Sequence, residues 1–184
     1  MLINNAGVVP AGPFRDQSDQ DIERAVLTNL IGPMALTRDM LDLLRAGEHA
    51  RVVNVGSMFG DIAFPLFATY SATKFGLRGF SDALRRELAH EGIGVTHAAP
   101  RGARTDATAG YAHLVAAFAM ALDPADLIAR RIFRAARAGR RLVCPAGLER
   151  VFTLVQHLAP RMIDKGLARQ YGQLRRKDAR REAV

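Results

Sequence analysis

The spacing of hydrophobic and polar positions changes several times along the chain, and each change marks an element. Leu2 and Ile3 read as the end of a strand, followed by a loop rich in Asn, Gly and Pro through Pro13. Ser18, with Asp21 three residues on, forms a capping-box arrangement that opens a helix carrying Ile22, Val26, Leu30, Leu36, Met40 and Leu44 and closing at Gly47. Arg51 to Ser57 is a short β-branched run bounded by Gly56 and predicts a buried strand. A second long helix fits Thr69 to His90, with Leu77, Phe80, Leu84 and Leu88 on one face and Gly92 as its stop. Further strands fit Gly94 to Ala99 and Arg141 to Cys144. Between them lies a helix begun by Asp123 with Pro124 at its first position, and a last helical segment from Leu148 is interrupted at Pro160.

Strand and helix alternate four times, with links long enough for crossovers, so the expected architecture is α/β, a parallel sheet with helices on both faces. In such sheets ligands lie beyond the carboxyl ends of the strands. That rule gathers Asn4 to Gly7, Ser57 and Pro100 to Thr105 on one rim although they are far apart in sequence.

Composition narrows the class. The 184 residues carry a net charge of +8, are 49% hydrophobic and have a mean hydropathy near zero, which suits one globular domain and excludes a disordered or fibrous chain. Six basic and two acidic residues from Arg169 onward hold half of that charge, so the expected division is a domain over residues 1–168 and a basic tail over 169–184. No aromatic residues interleave with the basic ones, which argues against a nucleic-acid site. Cys144 is alone and can form no intrachain disulfide, pointing to a reducing, cytoplasmic compartment. The longest apolar stretch, around Leu114 to Leu122, falls short of the roughly 20 residues that cross a bilayer. Leu148, Val151, Phe152, Leu154, Val155 and Leu158 form an apolar stripe, for which covering the protein's own core is expected ahead of a membrane surface.

Tyr70 and Lys74 lie four apart and so share one face of a helix. A nearby ammonium favours a phenolate, so the pair is a candidate general acid and base, with Ser57 placed to hydrogen-bond a carbonyl oxygen beside the phenol. Asn29 is polar within an apolar helix face and precedes Gly32 and Pro33, which predict a kink where a buried amide could hold an ordered water.

Taken together, NNAG at Asn4 to Gly7, Asn29 in LTNLIG, Ser57 in NVGSMFG, Tyr70 and Lys74 in YSATK, and PRGART at Pro100 to Thr105 resemble the short-chain dehydrogenase/reductase family, classical type, over Leu2 to about Cys144. The resemblance implies an NAD- or NADP-dependent interconversion of an alcohol and a ketone. Tyr70 would exchange the proton. Lys74 would lower the Tyr70 pKa and hold the nicotinamide ribose, Ser57 would orient the carbonyl, and Asn29 would position a relay water. Asn5, Ala6 and Gly7 would line the cofactor, with Asn5 bracing the central strands, and Pro100 and Thr105 would flank the nicotinamide. Arg101 stands where the family more usually has Gly. The apolar segment Ala107 to Leu122 occupies the family's variable substrate lid, which suggests an apolar alcohol or ketone. The helices at 18–46 and 69–90 correspond to those through which the family commonly forms homo-oligomers.

The family's glycine-rich turn of the T-G-x-x-x-G-x-G type would stand well upstream of NNAG, and only three residues precede Asn4. The expectation is therefore a Rossmann-like sheet with its N-terminal strands missing, consistent with a misplaced start. The alternative is a catalytically inactive remnant serving as a dimerisation or partner-binding module.

Overall fold

The computed structural model describes residues 1–145 and 147–182, with the side chains of Leu148 and residues 177–182 excepted. Its centre is a four-stranded parallel sheet in the order β1 (Leu2–Asn4), β2 (Arg51–Val55), β3 (Gly94–Ala98) and, last in sequence, β6 (Leu142–Val143). Side chains alternate across it. Val52 and Val95 face a cluster with Leu44, Leu84, Leu88 and Ile93 on one side, while Val53 and Ala98 meet Ile132 and Ala136 on the other. Helices thus cover both faces, as the alternating pattern predicts. Among the described residues β1 is an edge strand, paired with β2.

The first long helix is broken into pieces. α1 (Asp19–Val26), N-capped by Ser18, runs into a wide turn over Leu27–Ile31, where the Gly32 N–H bonds back five residues to the Leu27 carbonyl. α2 (Gly32–Asp39) and α3 (Leu41–Arg45) follow. Pro33 is the cause in the sequence, because it has no N–H for the carbonyl of Asn29 four residues back. α4 (Ala68–Glu87) is followed by a tight turn at Leu88–Glu91, and Gly92 adopts the left-handed conformation (φ 69°) that stops it.

Beyond β3 the chain departs from the sequence expectation. β4 (Gly102–Arg104) pairs in parallel with β5 (Leu122–Pro124) in a separate two-stranded sheet, with α5 (Asp106–Ala109) and α6 (Ala112–Ala117) between them. Asp123 does not cap a helix. It lies in β5, held extended by pairing with Ala103, and Pro124 caps α7 (Ala125–Arg137) from outside the first turn. α8 (Leu148–Leu158) and α9 (Pro160–Glu182) pack together and meet at Ala159. The expected boundary at residue 168 falls inside α9. Tyr171 and Leu174, beyond it, pack on Phe67, Leu114 and Phe118, whereas Ala183 and Val184 of the expected tail lie outside the described residues.

Candidate active site

The carboxyl ends of β1, β2 and β3 open on a cavity of about 800 Å³. Asn5 and Gly7 reach it from the loop after β1, Ser57 from the end of β2, Pro100 and Thr105 from the segment after β3, and Tyr70 and Lys74 from the first turns of α4. The motif residues scattered through the sequence are thus gathered at one rim.

α4 fixes Tyr70 and Lys74 one turn apart, with the Lys74 Nζ 5.6 Å from the centre of the phenol ring. Lys74 is buried, and its ammonium donates to the Val55 carbonyl at 3.0 Å, leaving two of its three N–H groups for other partners. Gly60 makes this close fit possible, since a Cβ there would stand 2.7 Å from the Lys74 carbonyl oxygen. Ser57 accepts a hydrogen bond from the Phe59 N–H at 3.1 Å and hydrogen-bonds Tyr70. Phe59 stacks on Phe64 at 5.0 Å and meets the Tyr70 ring edge-on at 6.2 Å, so an aromatic wall encloses the phenol.

That wall reverses the expected effect on the phenol. Burial pushes the Tyr70 pKa up to about 12 despite the hydrogen bond with Ser57, which acts to lower it. Burial also brings Lys74 down to about 8. At neutral pH the site therefore holds a protonated phenol beside a cation that sheds its proton readily. The ammonium does not produce the low phenol pKa that the i,i+4 spacing suggests.

Asn29 is fully buried in the wide turn between α1 and α2. Its Oδ1 accepts from the Val8 N–H at 2.8 Å, and its Nδ2 donates to the Val8 carbonyl at 2.9 Å and to the Thr73 hydroxyl at 3.1 Å. Both amide protons are thus taken by protein groups, and the side chain clamps the strand-end loop to α4. Of the water-holding capacity expected of this amide, only a second Oδ1 lone pair is left. Gly7 lies against the clamp. A Cβ there would stand 3.2 Å from the Asn29 Oδ1 and 3.6 Å from the Lys74 Nζ, so glycine keeps open the space beside the ammonium.

Asn5 does not brace the strands. Asn4 does, donating to the Thr37 hydroxyl at 3.0 Å and to the Asn54 Oδ1 at 2.8 Å, while Asn5 is exposed at the cavity. Period-two alternation carries the correct signal, because Leu2 and Asn4 share a face and Leu2 packs in the core. Ala6 is exposed and does not line the cavity. Pro100 accepts the Met58 N–H at 3.0 Å, and Thr105 caps α5 in a reciprocal arrangement with Thr108. Arg101 reaches Glu149 of α8 at 2.6 Å and Asp123 of β5 at 3.7 Å, tying its loop to both elements. The expected lid residues divide their roles: Leu114 and Phe118 are buried against Phe67, and Tyr111, Phe118, Met120 and Leu122 line the cavity. Sequence reasoning missed the roof, where Phe152, Met162, Ile163, Leu167 and Gln170 close over the site.

The family model for short chain dehydrogenase matches residues 1–113. The chain belongs to this family. Among curated short-chain dehydrogenase relatives, 17-beta-hydroxysteroid dehydrogenase type 6 of Bos taurus is 42% identical over 108 residues, covering 58% of this chain and 33% of its own length. The Dehydrogenase/reductase SDR family protein 7-like of Anopheles gambiae is 31% identical over 169 residues, covering 87% and 53%. The chain thus spans about a third of the length of the first of these relatives and about half of the second. A short-chain dehydrogenase from Burkholderia cenocepacia, solved with NADP, superposes with a TM-score of 0.74 at 19% identity over 90% of this chain and 67% of its own. The bulky-bulky ketone specific alcohol dehydrogenase from Comamonas testosteroni gives a TM-score of 0.67 at 25% identity over 94% and 61%. Among the described residues no helix is long and apolar enough to cross a membrane, and no cluster of His, Cys, Asp and Glu could hold a metal ion.

Proposed function

We propose that this chain carries the catalytic and substrate-side portion of an NAD- or NADP-dependent oxidoreductase that interconverts an apolar alcohol and ketone. The observation that carries the reading is the set of Ser57, Tyr70 and Lys74 on the wall of one aromatic-lined cavity, beside the space that Gly7 keeps open. That space and the two spare donors of Lys74 fit the ribose end of a nicotinamide nucleotide, whose bound ring would supply or accept the hydride. Lys74 holds sugar hydroxyls, with Asn5, Gly7, Pro100 and Thr105 around it and Asn29 fixing the Val8 backbone behind. Ser57 donates to the substrate oxygen and orients it. Tyr70 keeps its proton at neutral pH, which is the state that protonates a carbonyl oxygen, so the unliganded site is poised as a general acid for reduction. The apolar walls exclude water and select an apolar substrate.

Titration of the chain with NADH and NADPH, followed by turnover of a panel of apolar ketones, tests the assignment. Tyr70→Phe is expected to retain nucleotide binding and lose about 10²–10⁴ in turnover. Lys74→Met is expected to weaken nucleotide binding about tenfold or more. Wild-type turnover by Tyr70→Phe would remove the mechanism. We further place the protein in the cytoplasm, where Cys144 stays reduced. Self-association is assigned to the outer faces of residues 18–46 and 69–90, where Leu27, Ile31, Leu43 and Phe75 are exposed, and light scattering of Leu43→Glu against wild type checks it.

A further inference from the structure

The α8–α9 hairpin is built with its apolar side outward. On α8, Phe152 and Glu149 face the cavity, and Val151, Leu154 and Leu158, spaced at i, i+3 and i+7, lie on the opposite side. Their relative exposures are 53%, 57% and 76%, and Met162, across the Ala159 junction, reaches 67%. Val151, Leu154 and Leu158, which the sequence pattern expects to cover the protein's own core, therefore lie outside it, whereas Phe152 of the same stripe lines the cavity. On α9 the inward face is Ile163, Leu167, Gln170 and Leu174. Arg161, Lys165, Arg169 and Arg176 are exposed and fall together on the outward face at helical spacing. An apolar stripe thus lies next to a cationic one on a single hairpin.

We propose that the α8–α9 hairpin seats the protein on the surface of an anionic lipid bilayer, with the apolar stripe of α8 in the headgroup–acyl boundary and the Arg/Lys stripe of α9 against acidic headgroups. Charge selects this occupant. A second copy placed on the same face would bring its own cationic stripe alongside the first, whereas acidic headgroups complement it and accept the apolar side chains at the same depth. The hairpin lies on the surface and does not span it. Phe152 and Met162, which line the cavity, belong to this same hairpin, so the cavity roof is the part of the molecule brought nearest the lipid.

The test is flotation of the 184-residue chain with phosphatidylcholine vesicles, neutral or containing about 30% phosphatidylserine. Binding is expected on the acidic vesicles, weakening as salt rises, and little on the neutral ones. Leu158→Asp and the pair Arg161→Glu with Lys165→Glu each alter exposed residues, so folding, checked by circular dichroism, is retained. Each is expected to cut binding about tenfold or more, because every Lys or Arg at such a surface is worth roughly a fivefold factor. Arg24→Glu, exposed on α1, is expected to leave binding unchanged. Absence of flotation at low salt, equal binding to neutral vesicles, or loss of binding by Arg24→Glu as large as that of the hairpin variants would overturn the proposal. So would a wild-type dimer in light scattering that Leu158→Asp makes monomeric, which would assign the face to a second copy.

Discussion

His97 shows how one buried residue contributes to the pH response of the fold. It stands in register with Asn54 and Asn4 across three strands, so a polar row crosses the sheet on the face covered by α4. Ser81 gives its single proton to the Leu77 carbonyl at 2.6 Å and accepts from the Asn54 Nδ2 at 2.9 Å. The 3.2 Å contact to the His97 Nδ1 is therefore a hydrogen bond that the imidazole donates, which leaves the Nε2 without its proton. Burial, aided by the Arg78 charge, lowers the His97 pKa from 6.5 to about 4, against an opposing pull from Asp82. Between those two values the unfolded chain binds more protons than the folded one, so stability rises with pH through that window. His97→Leu is expected to flatten this rise, by about 3 kcal/mol at full extent, in urea unfolding across the same range. Lys74 repeats the logic at higher pH: burial lowers it from 10.5 to about 8, so its charged form opposes folding below that window and stability rises through it. Lys74→Met should remove that second rise, and an unchanged slope would show that the ammonium is solvated in the folded state.

At the scale of elements, α4 shows a contrast between two glycines, Gly60 in the turn packed against it and Gly79 on it. A Cβ at Gly60 would stand 2.7 Å from the Lys74 carbonyl oxygen and 2.8 Å from its carbon, backbone atoms that cannot step aside, whereas a Cβ at Gly79, exposed on α4, meets nothing within 4 Å. Gly60→Ala is expected to cost about 1–3 kcal/mol and to weaken nucleotide binding through Lys74, while Gly79→Ala stabilises by about 0.5–1 kcal/mol through helix propensity alone. Thermal melts of the two variants should move in opposite directions. The same elements show where the sequence is transparent. β2 and β3 are legible because β-branched runs have one stable home, and the kink at Asn29 is legible because Pro33 withholds a specific hydrogen bond. β4 and β5 are not, since three residues each carry no period and only their mutual pairing makes them strands. The outward turn of the α8 apolar stripe is equally hidden. Periodicity shows that a helix has two faces, and the packing of its neighbours decides which one turns inward. In the site itself, the identity of Tyr70 and Lys74 is legible, but the raised phenol pKa comes from burial within an aromatic wall whose Phe64 and Phe67 lie outside any motif.

The molecule as a whole is a rigid sheet with a separate roof, and Arg101 links the two. It leaves the carboxyl end of β3 and reaches both Asp123 in β5 and Glu149 in α8, while Arg131 of α7 approaches the same Asp123 at 3.6 Å. The side chains of Arg101 and Glu149 are each only 22% exposed, so their pairing is less screened than a surface ion pair and its loss should be felt at the roof. Arg101→Ala is expected to speed amide exchange in α8 and at residues 122 and 123 by roughly tenfold, while β2 and β3, buried between two helical layers, keep their protection. Glu149→Gln should reproduce the effect in α8 and spare residues 122 and 123, because it breaks the arm to α8 and leaves the arm to Asp123. In the double variant, exchange in α8 should be no faster than in Arg101→Ala alone, since the second substitution removes a contact already lost. Uniform acceleration across the sheet would mean that Arg101 supports the whole fold, and unchanged α8 exchange would mean that the roof is held by its apolar contacts alone.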